Sequence, residues 1–82
     1  MDLKQEVIGM CLEIIEMEAD EIGLDDEFQS FSHIDSLKAL DILTALERRF
    51  KVKIPEKELR EFTTINNIIG VANRYVEVPA SA

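Results

Sequence analysis

From Ser36 to Phe50 the chain reads SLKALDILTALERRF, with apolar residues recurring at three- and four-residue spacing. Only a helix brings such positions to one face, so this stretch predicts an α-helix over 36–50. Advancing about 100° per residue from Ser36 puts Ala39, Ile42, Leu43, Leu46 and Phe50 between about 240° and 340°, a core stripe. Asp35 stands just before the run, where a carboxylate can accept unpaired backbone N–H groups and cap the helix. Leu37 and Leu40 fall off the stripe, among Asp41, Thr44, Glu47 and Arg48. Two leucines are therefore expected in solvent, ringed by charge, which is the anatomy of a docking patch.

Other stretches carry the same period. Leu3, Val7, Met10, Cys11, Ile14 and Met17 predict a helix over 3–17, with Asp2 as its cap and Gln5 closing a capping box. Ile65, Ile68, Ile69, Ala72, Tyr75 and Val76 predict another over 65–76, capped by Thr63 or Thr64. Between them a short helix is expected to begin at Pro55, which suits a first helical position, with Leu59 and Phe62 on one face. Lys51 to Ile54 reads as a connector. Residues 19–34 read as a long loop, yet they hold Ile22, Leu24, Phe28, Phe31 and Ile34. So much apolar surface predicts a loop lying across the bundle. The expected fold is all-α: a small four-helix bundle of three longer helices and one short one, with a long loop between helices 1 and 2. One domain is expected over 1–77, followed by a disordered tail at 78–82.

Eighty-two residues form one small core, which leaves little material to wall off a deep active site, so an autonomous enzyme is not expected. No apolar run reaches the roughly 18 residues of a membrane span, and residues 1–6 lack a signal-peptide plan, so a cytoplasmic protein is expected. The net charge of −8 argues against nucleic acid and anionic membranes and favours partners with basic patches. The charge is uneven. Residues 1–35 hold eleven acids and one base, whereas residues 36–82 hold six acids and eight bases. The single cysteine, Cys11, lies on a core stripe and reads as buried and inert, with Met10 and Met17 as core filling.

Ser36 is the one plausible chemical handle. Its hydroxyl stands at the positive end of a helix, beside backbone N–H groups expected to be unpaired. A phosphate ester there would lie where the helix end favours negative charge. A catalytic triad of His33, Asp35 and Ser36 is not expected, because residues so close in sequence at one exposed helix end are poorly placed to converge. Asp20, Glu21, Asp25, Asp26 and Glu27 lack the spacing of a calcium loop, so no metal site is predicted.

Asp35-Ser36-Leu37, then Ala39, Leu43, Ala45-Leu46-Glu47, Phe50, Ile54-Pro55 and Thr64-Ile65, resembles the acyl carrier protein family. The pattern covers roughly residues 3–77. The resemblance implies that a phosphopantetheinyl transferase moves 4′-phosphopantetheine from coenzyme A onto Ser36. The arm's thiol would then hold acyl groups as thioesters, in fatty-acid, polyketide or related lipid biosynthesis. A tethered acyl group has a high effective concentration at each enzyme that the carrier visits. The implied partners are the transferase and acyl-loading and acyl-processing enzymes with basic patches, met by a monomer through Leu37, Leu40, Asp41 and Glu47. A cleft sheltering the acyl chain is expected among Leu46, Phe62, Ile65 and Ile68.

Two departures stand out. The family pattern usually has glycine two residues before the aspartate, where this chain has His33. The acidic second helix typical of fatty-acid carriers is interrupted here by Lys38, Arg48 and Arg49, and Lys51, Lys53 and Lys57 follow. Partners shaped for a uniformly acidic helix should bind this one less well, which points to a specialised carrier. The alternative reading is a helical protein-interaction domain without modification, in which Asp35 and Ser36 form only a helix cap.

Overall fold

The computed structural model describes residues 3–76. Three α-helices, α1 (Leu3–Ile15), α2 (Ser36–Phe50) and α3 (Ile65–Tyr75), are joined by segments that include two 3-10 helices, Phe28–Ser30 and Glu56–Glu61. Among the described residues there is no strand, and no helix is long and apolar enough to cross a membrane. The three longer helices and one short helix are those expected; the turn at Phe28–Ser30 is additional. Helix α1 packs on both α2 and α3. The proposed cap Asp2 and the tail 78–82 lie outside the described residues.

The first helix ends earlier than its periodicity suggests. Glu16 takes a left-handed backbone with φ of 56°. Its N–H donates to the Glu13 carbonyl at 3.3 Å, and the Met17 N–H donates to the Leu12 carbonyl at 3.1 Å. That pair of reversed bonds is a Schellman stop, so Met17 is already beyond the helix. The buried face is Leu3, Val7, Cys11 and Ile15, a strict four-residue series. Met10, Ile14 and Met17 sit half-buried at its margin. Ile15 thus takes the core position that the spacing had given to Ile14.

Residues 19–34 cross the bundle as expected. Ile22, Phe28 and Ile34 are buried, and Leu24 and Phe31 pack against the core. The loop is stitched to the start of α3: Phe28 N–H donates to the Thr63 carbonyl at 2.8 Å and Asn66 N–H to the Leu24 carbonyl at 3.0 Å. Its acids shape turns. Glu21 accepts the Glu18 N–H and Asp26 the Gly23 N–H, each at 2.7 Å, and Asp25 accepts the Asn66 side-chain amide at 2.6 Å.

Helix α2 spans the predicted 36–50 and buries Ile42, Leu43 and Leu46, with Ala39 and Phe50 packed beside them. It ends at Lys51, also left-handed at φ of 55°. The connector then tucks Ile54 into the core. The short helix differs from expectation in kind and position. It is a 3-10 helix starting at Glu56, and Pro55 (ψ of 140°) stands outside it as the capping residue. Its tight turn aims Leu59 inward and buries Phe62 just past its end.

Its hold on the bundle comes from Glu58, the one buried charged side chain among the described residues. The Arg74 guanidinium donates to Glu58 Oε1 at 2.9 Å and the Tyr75 hydroxyl to Oε2 at 2.5 Å. Helix α3 starts at the cap Thr64, whose Oγ1 accepts the Asn67 N–H at 3.0 Å. Val71 joins the predicted Ile65, Ile68, Ile69 and Ala72 in the core.

Candidate functional site: Ser36 and the cavity beside it

Ser36 is the first residue of α2 and is exposed, and its hydroxyl makes no hydrogen bond among the described residues. Asp35 sets its place. The Asp35 backbone is extended, and Oδ1 accepts the N–H groups of Leu37 at 3.1 Å and Lys38 at 3.2 Å. The helix end is therefore less open to an anion than the sequence suggested. Two of its donors are already satisfied by the chain's own carboxylate, and Ser36 N–H is left without a partner among the described residues. The Ser36 hydroxyl has room and solvent access, as an attachment point needs.

A cavity of about 380 Å³ opens next to it, lined by Phe28, Gln29, Ile34, Asp35, Ser36, Ala39, Leu59, Phe62 and Thr63. This is not the cleft expected from the sequence. Leu46, Ile65 and Ile68 have no exposed surface, and of the four residues proposed only Phe62 lines the cavity. The difference comes from the crossing loop. Phe28 and Ile34 form one wall, Leu59 and Phe62 the other, and the space lies between them above the sealed core.

On the outer face of α2, Leu37 is 67 % exposed and Leu40 is 39 % exposed, as the helical wheel predicted. Asp41 is exposed. Glu47 is half-buried, and its Oε2 accepts the Ile54 N–H at 2.8 Å, so one oxygen holds the connector in place. Lys38 pairs with Glu16 at 3.4 Å, and Arg49 pairs with Glu6. Arg48, Lys51, Lys53 and Lys57 are exposed and have no ion pair among the described residues.

His33, Asp35 and Ser36 do not form a triad. The Asp35 carboxylate faces the helix amides, and His33 Nε2 bonds the Ile15 carbonyl at 3.0 Å. That contact and the Glu58 cluster were missed by sequence reasoning. Both join residues far apart in the chain, and only His33, as an unusual residue before the cap, gave any signal.

Residues 5–71 match the family model described as the phosphopantetheine attachment site. The chain is 34 % identical over 70 residues to the polyketide-8 synthase acyl carrier protein 1 of Streptomyces avermitilis, covering 85 % of this chain and 83 % of that one. It is 32 % identical over 69 residues to an acyl carrier protein of Borrelia garinii, covering 84 % of this chain and 86 % of that one. The fold matches the solution structure of the apo doublet acyl carrier protein from prodigiosin biosynthesis with a TM-score of 0.72 at 22 % identity, over 98 % of this chain and 42 % of that one. The chain therefore belongs to the acyl carrier protein family, whose members bear a phosphopantetheine prosthetic group and work with phosphopantetheinyl transferases and biosynthetic enzymes instead of catalysing a reaction themselves.

Proposed function

We propose that Ser36 is the attachment residue and that the chain is a specialised carrier, serving a dedicated pathway of polyketide type. The observation that carries the attachment reading is the exposed Ser36 hydroxyl at the head of α2, without a hydrogen bond among the described residues, with the cavity opening beside it. Ser36 Oγ displaces adenosine 3′,5′-bisphosphate from coenzyme A. Its bond to phosphorus forms as the pyrophosphate bond breaks, and its proton passes to the transferase or to water. The arm supplies a terminal thiol on which acyl groups are held as thioesters. Asp35 keeps the first turn of α2 wound, and Phe28, Ile34, Leu59 and Phe62 offer an apolar wall against which a short acyl chain can lie.

Leu37 and Leu40 are the apolar centre of the docking face, with Asp41 on its rim meeting basic groups of the partner. Glu47 contributes its second oxygen. The specialised reading rests on the exposed cations of the same region. Arg48, in the last turn of α2, and Lys51, its C-cap, lie beyond Asp41 with no ion pair among the described residues, where a partner built for an acidic helix would meet like charge. The similarity to a polyketide carrier agrees with this. The reading carries with it a cytoplasmic protein, monomeric when not docked.

Intact-mass spectrometry tests attachment. The protein is incubated with coenzyme A and a broad-specificity phosphopantetheinyl transferase beside Ser36→Ala. One phosphopantetheine mass gain, absent from the variant, is expected. A folded sample that gains no mass while a control carrier does would support the unmodified interaction domain. For the pathway, loading rates by general fatty-acid enzymes equal to those of their own carrier would sink the specialised reading.

A further inference from the structure

The end of α1 has a spare carbonyl. Its stop satisfies the carbonyls of Leu12 and Glu13, and among the described residues no backbone N–H reaches that of Ile15. His33 Nε2 takes it at 3.0 Å. A carbonyl only accepts, so Nε2 carries the proton. The Phe31 ring meets the imidazole edge-on, with centroids 6.4 Å apart and planes at 76°. Ile34, the next residue, is buried. The segment that delivers the chain into Asp35 and Ser36 is thus tied down from its side chains. Beyond Ser36, Lys38 reaches Glu16 at 3.4 Å, an exposed pair of small energetic weight. Positions 33 and 38, on either side of the serine, are held to the consecutive residues Ile15 and Glu16.

Among the described residues the Ser36 hydroxyl makes no bond of its own, so its pose is inherited from the backbone. Asp35 fixes that backbone on the helix side. On the loop side the side-chain polar tie to another element is His33. A glycine there, as in the pattern this chain resembles, has no side chain to make the bond.

We propose that His33 is a positioning residue for the modification of Ser36: its Nε2–H bond to the Ile15 carbonyl holds residues 33–36 in the pose that the transferase recognises. This rests on Ser36 being the attachment residue. When the tie is lost, the segment samples other poses, and apparent affinity falls by the fraction that remains competent. The chemistry within the docked complex is untouched.

The experiment compares the wild-type chain with H33Q and H33F as substrates of a broad-specificity transferase, at saturating coenzyme A. H33Q keeps an N–H donor at similar reach, and H33F keeps a ring without one. The expected result for H33F is a raised KM with kcat unchanged, by at most about fivefold, the limit that loss of one net hydrogen bond sets on the competent fraction. H33Q should stay within about twofold of wild type. Amide exchange at Ile34, whose N–H bonds the Phe31 carbonyl at 3.1 Å, should quicken in unmodified H33F and not in H33Q. Should H33F lose its helical circular dichroism, H33A takes its place. Wild-type KM and exchange in H33F, or equal impairment of H33Q and H33F, would overturn the positioning role while leaving Ser36 as the attachment residue. A wild-type chain that gains no mass would overturn both.

Discussion

The Tyr75 hydroxyl donates to Glu58 Oε2 across 2.5 Å, tying the end of α3 to the short 3-10 helix that carries Leu59 and Phe62. One wall of the cavity beside Ser36 therefore depends on a polar contact between residues 17 apart in the chain. Glu58 is only 9 % exposed, so its carboxylate needs both of its partners. Glu58→Ala should cost about 1–3 kcal/mol, read by urea denaturation, and should shift the methyl resonances of Leu59.

The same bond favours the protonated phenol and raises the Tyr75 pKa above its ordinary 10.0. A raised folded-state value means that the stabilisation is complete below the unfolded pKa and is lost as pH rises through the folded one. Ultraviolet titration of the phenol should show a midpoint above 10.0, restored toward 10.0 in Glu58→Ala.

Asp35 should be worth more to stability than its exposed position suggests, because its Oδ1 serves two amides. Asp35→Ala should destabilise by about 1 kcal/mol, and Asp35→Asn much less, since asparagine is an equally good cap. Chemical denaturation of the two variants checks this. Equal losses would assign the effect to charge instead of capping.

Glu16 and Lys51 close their helices in left-handed conformations, at φ of 56° and 55°. A Cβ is disfavoured there, and glycine is the usual residue. Glu16→Gly and Lys51→Gly should each stabilise the fold by about 0.5–1 kcal/mol. Glu16→Gly should gain slightly less, because it also removes the exposed pair with Lys38. Thermal melts are sufficient to see both.

Leu37→Ala and Leu40→Ala should change stability by no more than about 0.5 kcal/mol, while Leu46→Ala, fully buried on the opposite face, should cost about 2–5 kcal/mol. Acyl transfer from a partner enzyme should reverse that order, with the two surface variants impaired at full folding. Full activity in both would remove them from the docking face.

Burial pushes the Cys11 thiol up to about 12 from 9.0. The thiolate is the reactive form, so thiol reagents at pH 8 should label Cys11 only through opening of the fold. Its contribution to stability is complete below pH 9.0 and declines as pH climbs toward 12. Labelling at the rate of a free thiol would contradict the sealed core.

What the sequence determined by itself was local. Helix α2 runs over the predicted span, Asp35 caps it, one of the two threonines offered, Thr64, caps α3, and Leu37 and Leu40 face solvent. Each of these follows from periodicity or capping chemistry within a few residues, where the chain has little freedom once a helix forms. Tertiary structure decided the rest. It chose Ile15 over Ile14, because the Schellman stop and the packing against α2 and α3 set the rotation of α1. It moved the cavity to the wall made by Phe28 and Ile34, because only packing shows where a loop's apolar residues land. It assigned Glu58 to Tyr75, His33 to Ile15 and one oxygen of Glu47 to Ile54, since a polar side chain's partner is whatever group the folded chain brings within about 3 Å, and no spacing in the sequence encodes that.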